Sequence, residues 1–325
     1  MLKEKEFHTK AGLLSGVVGE RVDKDGILRS CMFNRKNKIS YHGEIYIPKY
    51  ENEDFRTRYR DAATFYKNGK LKALYLNEQQ EIDSPAGRIK AEFVSFYESG
   101  SFHRIFPVYG QIGGYWSESE EAVLLPSYVI EAGGQKIKAK FSCIGFYESG
   151  VVKSLTLWPG ESVDVITPAG KIKIRFGISF YESGSVESVE PDKPAVITYN
   201  TCSFYSYDNH PIGIHGEKNS LGFYEDGTLK TLKSTVTAVI VSHENEEIRI
   251  APEKKISLTD IDTMEIFPVK IEFMNKSIRI TDSGGSVHEF TLTRYRMRTE
   301  QIIKNLYFSQ ECRDCSGCSK CGLRD

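Results

Sequence analysis

Four cysteines crowd the carboxyl end of the chain, in Cys312-Arg313-Asp314-Cys315-Ser316-Gly317-Cys318-Ser319-Lys320-Cys321-Gly322. A polar run this short offers no apolar core in which four thiols could rest as inert side chains. Thiolates are soft ligands that select zinc, copper(I) or iron–sulfur clusters. Two residues between successive cysteines let the sulfurs turn toward one centre, and Gly317 and Gly322 relax the backbone around it. Structural zinc sites usually set two such knuckles apart by a longer loop, whereas a compact CxxCxxC run is a ligand pattern of ferredoxin-type clusters. Cys321 precedes glycine rather than the proline of that pattern. Iron–sulfur cluster and zinc therefore both stand as cofactors for Cys312, Cys315, Cys318 and Cys321, beside a plain thiol tail that serves as a redox or partner contact.

No catalytic constellation accompanies this tail. Cys31, Cys143 and Cys202 lie in apolar alternating segments and are expected to be buried singly as small hydrophobes. His210 and His215, five apart, would face opposite sides of a strand and do not form a ligand pair. Glu98, Glu148, Glu182 and Glu225 recur at one position of a repeated turn, where solvent exposure explains them better than paired hydrolytic carboxylates. The segment Pro107 to Pro126 is different in texture, with Gly110, Gly113 and Gly114 followed by Tyr115, Trp116 and an acidic run. Tyr115 and Trp116 are the candidate partner-binding residues, since a loop on a rigid scaffold carries recognition without disturbing the core. Trp158 is expected to pack, and Arg294, Arg296, Arg298 and Lys304 to form a solvated basic stretch.

The elements that must carry these groups show themselves by repetition. Phe65-Tyr66-Lys67-Asn68-Gly69, Phe96-Tyr97-Glu98-Ser99-Gly100, Phe146-Tyr147-Glu148-Ser149-Gly150, Phe180-Tyr181-Glu182-Ser183-Gly184 and Phe223-Tyr224-Glu225-Asp226-Gly227 each lead into an alternating run such as Val152-Lys153-Ser154-Leu155. A period of two is that of a strand, so each segment reads as a hairpin turn. Gly69, Gly100, Gly150, Gly184 and Gly227 supply its left-handed backbone position, favoured by the Asn, Ser or Asp before them. Lys24 to Ser30 is a weaker sixth copy without Phe-Tyr. A second turn recurs upstream in Ser84-Pro85-Ala86-Gly87, Thr167-Pro168-Ala169-Gly170 and His210-Pro211-Ile212-Gly213. The phenylalanines are 31, 50, 34 and 43 residues apart, and the longest interval holds the Tyr115-Trp116 insertion.

Phe-Tyr-x-Ser/Asn-Gly followed by Val/Leu-Lys-Ser/Ala/Thr-Leu resembles the variant MORN repeats of uncharacterised bacterial proteins, including the antitoxin-like YwqK group. The matches are clearest at Phe65 to Leu74, Phe146 to Leu155 and Phe223 to Leu232, and cover residues 24 to 234. The resemblance implies stacked β-hairpins and an interaction role, and brings no active site. The expected fold is all-β: an N-terminal strand or cap over 1–23, hairpin repeats over 24–234, a C-terminal β segment over 235–297, and a short helix with the cysteine tail over 298–325.

Composition narrows the partners. The 43 basic and 44 acidic residues give a net charge of −1, which offers no polybasic grip on nucleic acid or an anionic membrane. No apolar stretch is long enough to span a bilayer, and the charged N-terminus is unlike a secretory signal. Free thiols fit a reducing cytoplasm. The expectation is a non-catalytic cytoplasmic scaffold that binds a protein partner and holds a cluster or zinc at its end. The alternatives are an antitoxin-like interaction module with an unstructured tail, and a carbohydrate-active enzyme, which would need two carboxylates converging in a groove near the Trp116 loop.

Overall fold

The computed structural model describes residues 5–50, 56, 61–211, 216–257 and 263–302. The protein is nearly all β, built on a large antiparallel sheet. It divides into two compact units, residues 1–193 with 210–231, and residues 194–209 with 232–325. Among the described residues no helix is long and apolar enough to cross a membrane.

In the first unit Lys5–Thr9, Gly12–Val22, Leu28–Phe33, Ala63–Phe65, Leu71–Ser84, Gly87–Phe96, Phe102–Phe106, Phe141–Phe146, Val152–Leu157, Gly170–Phe180, Val186–Pro191 and Leu221–Phe223 each pair antiparallel with the next. The five Phe-Tyr segments close alike. In each, the glycine N–H donates to the tyrosine carbonyl at 2.9–3.0 Å, and the tyrosine N–H donates to the carbonyl just past the glycine at 2.8 Å. The glycines hold φ between +77° and +108°, a range that strains any residue with a Cβ. Asp23 to Ile27 makes the same two bonds at 3.0 Å, so the turn forms there without its aromatic pair.

Just beyond the first four of these turns the register slips. Lys72, His103, Lys153 and Glu187 fall between paired positions, and such a bulge lets two successive side chains share one face. Phe65, Phe96, Phe146, Phe180 and Phe223 thereby stay buried, while the tyrosines emerge opposite. Lys72 and Lys153 each sit 5.7 Å over a motif tyrosine, and His103 packs 4.7 Å from Tyr97. The recurrent Lys of the sequence pattern is this bulge residue.

Two rows cross the sheet in register. Ala63, Leu74, Val94, Ile105, Ile144, Leu155, Ile178, Val189 and Leu221 are cross-strand neighbours and wholly buried. One position away, on the other face, run Thr64, Ala73, Ser95, Arg104, Gly145, Ser154, Ser179, Ser188 and Gly222. The tyrosines tie one segment to the next: the hydroxyls of Tyr66, Tyr97, Tyr147 and Tyr181 donate to the carbonyls of Phe96, Phe146, Phe180 and Phe223 at 2.8–2.9 Å.

Burial raises the pKa of Tyr66, Tyr97 and Tyr147 above the ordinary tyrosine value, and at Tyr66 and Tyr147 neighbouring glutamates add to the rise. Folding therefore favours the protonated phenol. That stabilisation is fully present below about pH 10 and is lost as pH climbs through the raised values. A urea midpoint that stays level from neutral pH to about 9 and then falls, less steeply in Tyr147→Phe, is the expected result.

The intervening turns fold back onto the motif turns. A Cβ on Gly150 would lie 3.4 Å from Pro85, one on Gly227 3.5 Å from Pro168, and one on Gly133 only 2.7 Å from the Gly184 carbonyl. Ser84 and Thr167 close their turns through the hydroxyl, accepting from Ala86 and Ala169 and donating to the carbonyls of Gly87 and Gly170. Thr9-Lys10-Ala11-Gly12 makes the same bonds; it lacks the proline by which the other two are recognised.

In the second unit, Ala195–Tyr199 and Cys202–Ser206 form a hairpin. Thr237–His243 pairs with Glu246–Ile250 and Arg296–Gln301. Val269–Phe273, Ser277–Thr281 and Val287–Thr291 form a meander packed around Phe273, Ile278, Ile280 and Phe290. The helix expected from Arg298 is corrected here. Residues 298–301 are strand, because Thr237–His243 needs a second neighbour and the alternation Arg296-Arg298-Glu300 suits an exposed strand face, where Arg298 bonds Glu247 and Glu300. Residues 303–325 lie outside the described residues.

Candidate functional site

The four-cysteine tail lies outside the described residues, as does His215, while His210 is exposed. Cys31, Cys143 and Cys202 are free and buried. Burial pushes the Cys31 and Cys143 thiols up to about 12, so neither is poised to ligate or attack. Among the described residues no three His, Cys, Asp or Glu side chains gather as a metal site. Glu98, Glu148, Glu182 and Glu225 are all exposed turn residues.

The 107–126 insertion is where side chains converge. Its entrance is anchored by Tyr109, stacked 4.4 Å from Phe93 and edge-on to Phe106 and Tyr75. Its exit is anchored by Leu125, packed with Val108, Trp158 and Ala122, so Trp158 is a core residue. The Gln79 side-chain amide donates to the carbonyls of both Pro107 and Leu124, at 3.0 and 3.2 Å, which pins the two ends together. Gln79 can do this because Leu71–Ser84 carries surplus residues between Tyr75 and Gln80, where its pairing with Gly87–Phe96 breaks register.

Within the loop a short helix, Glu118–Val123, is capped by Ser117, whose hydroxyl accepts from Glu120 N–H while the Glu120 carboxylate accepts from Ser117 N–H. The helix turns Glu121 inward, where it is 1% exposed. There it accepts from Arg56 Nε at 2.5 Å, Arg56 Nη2 at 2.8 Å, Gly110 N–H at 2.8 Å and Trp116 Nε1 at 2.7 Å. Arg56 also donates to Glu92 at 2.6 Å, and Glu92 accepts from Tyr109 N–H at 2.8 Å. Burial opposes the charge on Arg56, but the hydrogen bonds it donates to the two carboxylates, and their charge, overcome it, holding its pKa above the ordinary arginine value. A Cβ at Gly110 would lie 2.5 Å from Glu121 Oε1, so this glycine is required by the close approach.

The sequence-expected pair separates in role. Trp116 is half-buried and faces inward to Glu121 with Arg56 6.0 Å from its ring, whereas Tyr115 is 84% exposed. Ile112, Val123 and Leu124 are exposed beside it in sequence. Two adjoining clefts flank the lock. One, of about 390 Å³, is lined by Lys49, Arg56, Tyr75, Asn77, Gln79 and Glu92 among others. The other, of about 340 Å³, shares Asn77 and Gln79 and adds Lys36, Tyr50 and Glu81.

Glu92 and Glu121 are thus two carboxylates brought together near the Trp116 loop. Both are committed to holding the loop: Glu121 accepts from four N–H donors, and the two carboxylates share one guanidinium, which balances one of their two charges. Sequence reasoning missed Arg56, Glu92 and Gln79, which stand far from the loop in sequence. The helix was marked by Ser117-x-x-Glu120, a capping-box signature. No protein-family model, curated protein or solved structure matches the chain.

Proposed function

We propose that the protein is a non-catalytic cytoplasmic scaffold of hairpin repeats, related in design to variant MORN arrays, that binds a protein partner through the 107–126 loop. The reading also gives it an iron–sulfur cluster or zinc held by Cys312, Cys315, Cys318 and Cys321. The observation that carries the binding role is the combination of a buried Arg56–Glu92–Glu121 lock with the exposed side chains of Ile112, Tyr115 and Val123. A pre-organised loop loses little entropy on binding, and exposed aromatic and aliphatic groups on it are what a partner buries. The metal role rests on the tail sequence; the other three thiols are buried singly.

A photo-crosslinking residue placed at position 115, with a control at the exposed position 225, tests the binding role in cells of the source organism. A defined protein adduct at 115 that is absent at 225, and lost on adding Val123→Lys, is expected. Indistinguishable adducts from the two positions would overturn it. Anaerobic purification of the full chain tests the metal role. Stoichiometric zinc, or iron with visible absorption, should be present and should vanish when the four tail cysteines are serines; absence of both from the unmodified chain removes the metal.

A further inference from the structure

The second cross-strand row, with its small and polar side chains, is covered over part of its length by residues of the same chain. Gly216 to Ser220 crosses Val152–Leu157, Gly170–Phe180 and Val186–Pro191 as a strap. Glu217 accepts from Arg104 Nη2 at 2.8 Å and lies 3.6 Å from Lys153 Nζ. Asn219 donates to Ser188 Oγ at 2.7 Å and to the Gly216 carbonyl at 2.9 Å. Ser220 N–H donates to the buried Glu190 at 2.8 Å. The strap lies close: a Cβ on Gly216 would meet the Leu155 carbonyl at 2.6 Å, and one on Gly177 would meet Gly216 Cα at 2.6 Å. Lys153 reaches this face only because it is the bulge residue.

The strap leaves this surface incompletely bonded. Arg104 Nε, Ser154 Oγ and Thr156 Oγ1 are buried without a hydrogen-bond partner, although Arg104 and Thr156 are the residues that Glu217 and Gly216 rest against. Ser154 and Thr156 are almost wholly buried, at 1% and 6% exposure. Buried polar groups in folded proteins are nearly all satisfied, so a concentration of exceptions under one short segment asks for an explanation. All three groups want the same complement. Arg104 uses one arm of its guanidinium, and a carboxylate approaching side-on would take Nε as well. Ser154 and Thr156 hydroxyls can donate to further acceptors, and Gly216, the strap residue above Thr156, has no side chain with which to supply one.

We infer that this face is a binding groove for an extended, glutamate-bearing segment of a partner protein, and that Gly216 to Ser220 is a built-in competitor that occupies it in the free chain. Arg104 and Lys153 select the acidic side chain, Ser188 and Glu190 fix the segment on either side, and the glycines of sheet and strap let a backbone lie flat on the strands. The groove is separate from the 107–126 loop and does not depend on the function proposed for it.

A fluorescein-labelled peptide with the sequence of residues 214–222 serves as probe, because it carries the glutamate at the observed spacing. In the full chain bearing Glu217→Lys, the strap is repelled by Arg104 and Lys153 and the groove is open. The peptide is expected to bind this variant at least about tenfold more tightly than the unmodified chain, the scale of one charge-assisted contact. Replacing the peptide's glutamate by glutamine, or adding Arg104→Gln to the variant, should cancel the gain. A Glu217→Lys chain that is folded by circular dichroism yet binds the peptide no better than the unmodified chain would overturn the inference. Should that variant not fold, Asn219→Ala, which frees the strap only from Ser188, carries the same expectation and the same refutation.

Discussion

Arg56→Leu is expected to destabilise the first unit by about 3–5 kcal/mol, because it leaves two buried carboxylates without their shared cation. Glu121 is 1% exposed and Glu92 5%, so both carboxylates are largely withdrawn from water. The cost exceeds that of a surface ion pair such as Arg88–Asp83, both of whose partners are well exposed and screened by solvent. Urea unfolding followed by tryptophan fluorescence measures it, since Trp116 donates to Glu121 and reports on the same cluster. Neutralising the carboxylates as well, in Arg56→Leu/Glu92→Gln/Glu121→Gln, should recover part of the loss, because most of it comes from orphaned charge and less from lost packing. A loss below about 1 kcal/mol in the single variant would show that the cluster is solvated and does not hold the loop.

The second large effect belongs to the core. Phe180 is wholly buried, and its ring lies beneath the tip of the neighbouring hairpin, 2.8 Å from where a Cβ on Gly133 would stand. Phe180→Ala removes a ring from a space bounded by backbone on that side, so the cavity cannot collapse readily, and a loss of about 3–5 kcal/mol is expected. Tyr181→Phe, one residue away, removes the hydroxyl bond donated to the Phe223 carbonyl and the longer one accepted from Lys230 Nζ at 3.3 Å, and should cost about 1 kcal/mol. The contrast separates the two faces of the same motif. Equal losses from the two variants would mean that the tyrosine bonds, and not the phenylalanine core, dominate cohesion between segments.

Much of this fold is legible in the chain. The Phe-Tyr-x-Ser/Asn-Gly segments declare both the turn and the buried residue, because a left-handed glycine and an alternating run are local properties. What alternation alone misassigns is the residue after the turn: Lys72 or Lys153 reads as one step of a period-two strand, and only the pairing shows that it is a bulge that moves to the tyrosine face. Residues 298–301, the end of the strand Arg296–Gln301, read as the start of a helix in the sequence, since nothing local reveals that Thr237–His243 has an open edge to fill. The loop is legible as an insertion and Tyr115 as its exposed residue. Trp116 is not legible as an inward donor, because its partner Glu121 is turned inward by a helix and bonded by Arg56, brought in from a distant part of the sequence. Ion-pair partners contributed across such distances leave no periodic trace.

Native-state hydrogen exchange at the loop reaches most directly the idea that a recognition segment is held in one conformation by buried charges. Three consecutive amides, those of Tyr109, Gly110 and Gln111, donate to Glu92, Glu121 and the Arg56 carbonyl at 2.7–2.8 Å. They should exchange far more slowly than the amide of Gly114 at the loop tip, and should lose that protection in Arg56→Leu. Exchange of all three as fast as Gly114 in the unmodified chain would contradict the locked loop, and with it the pre-organised surface on which the proposed binding role rests.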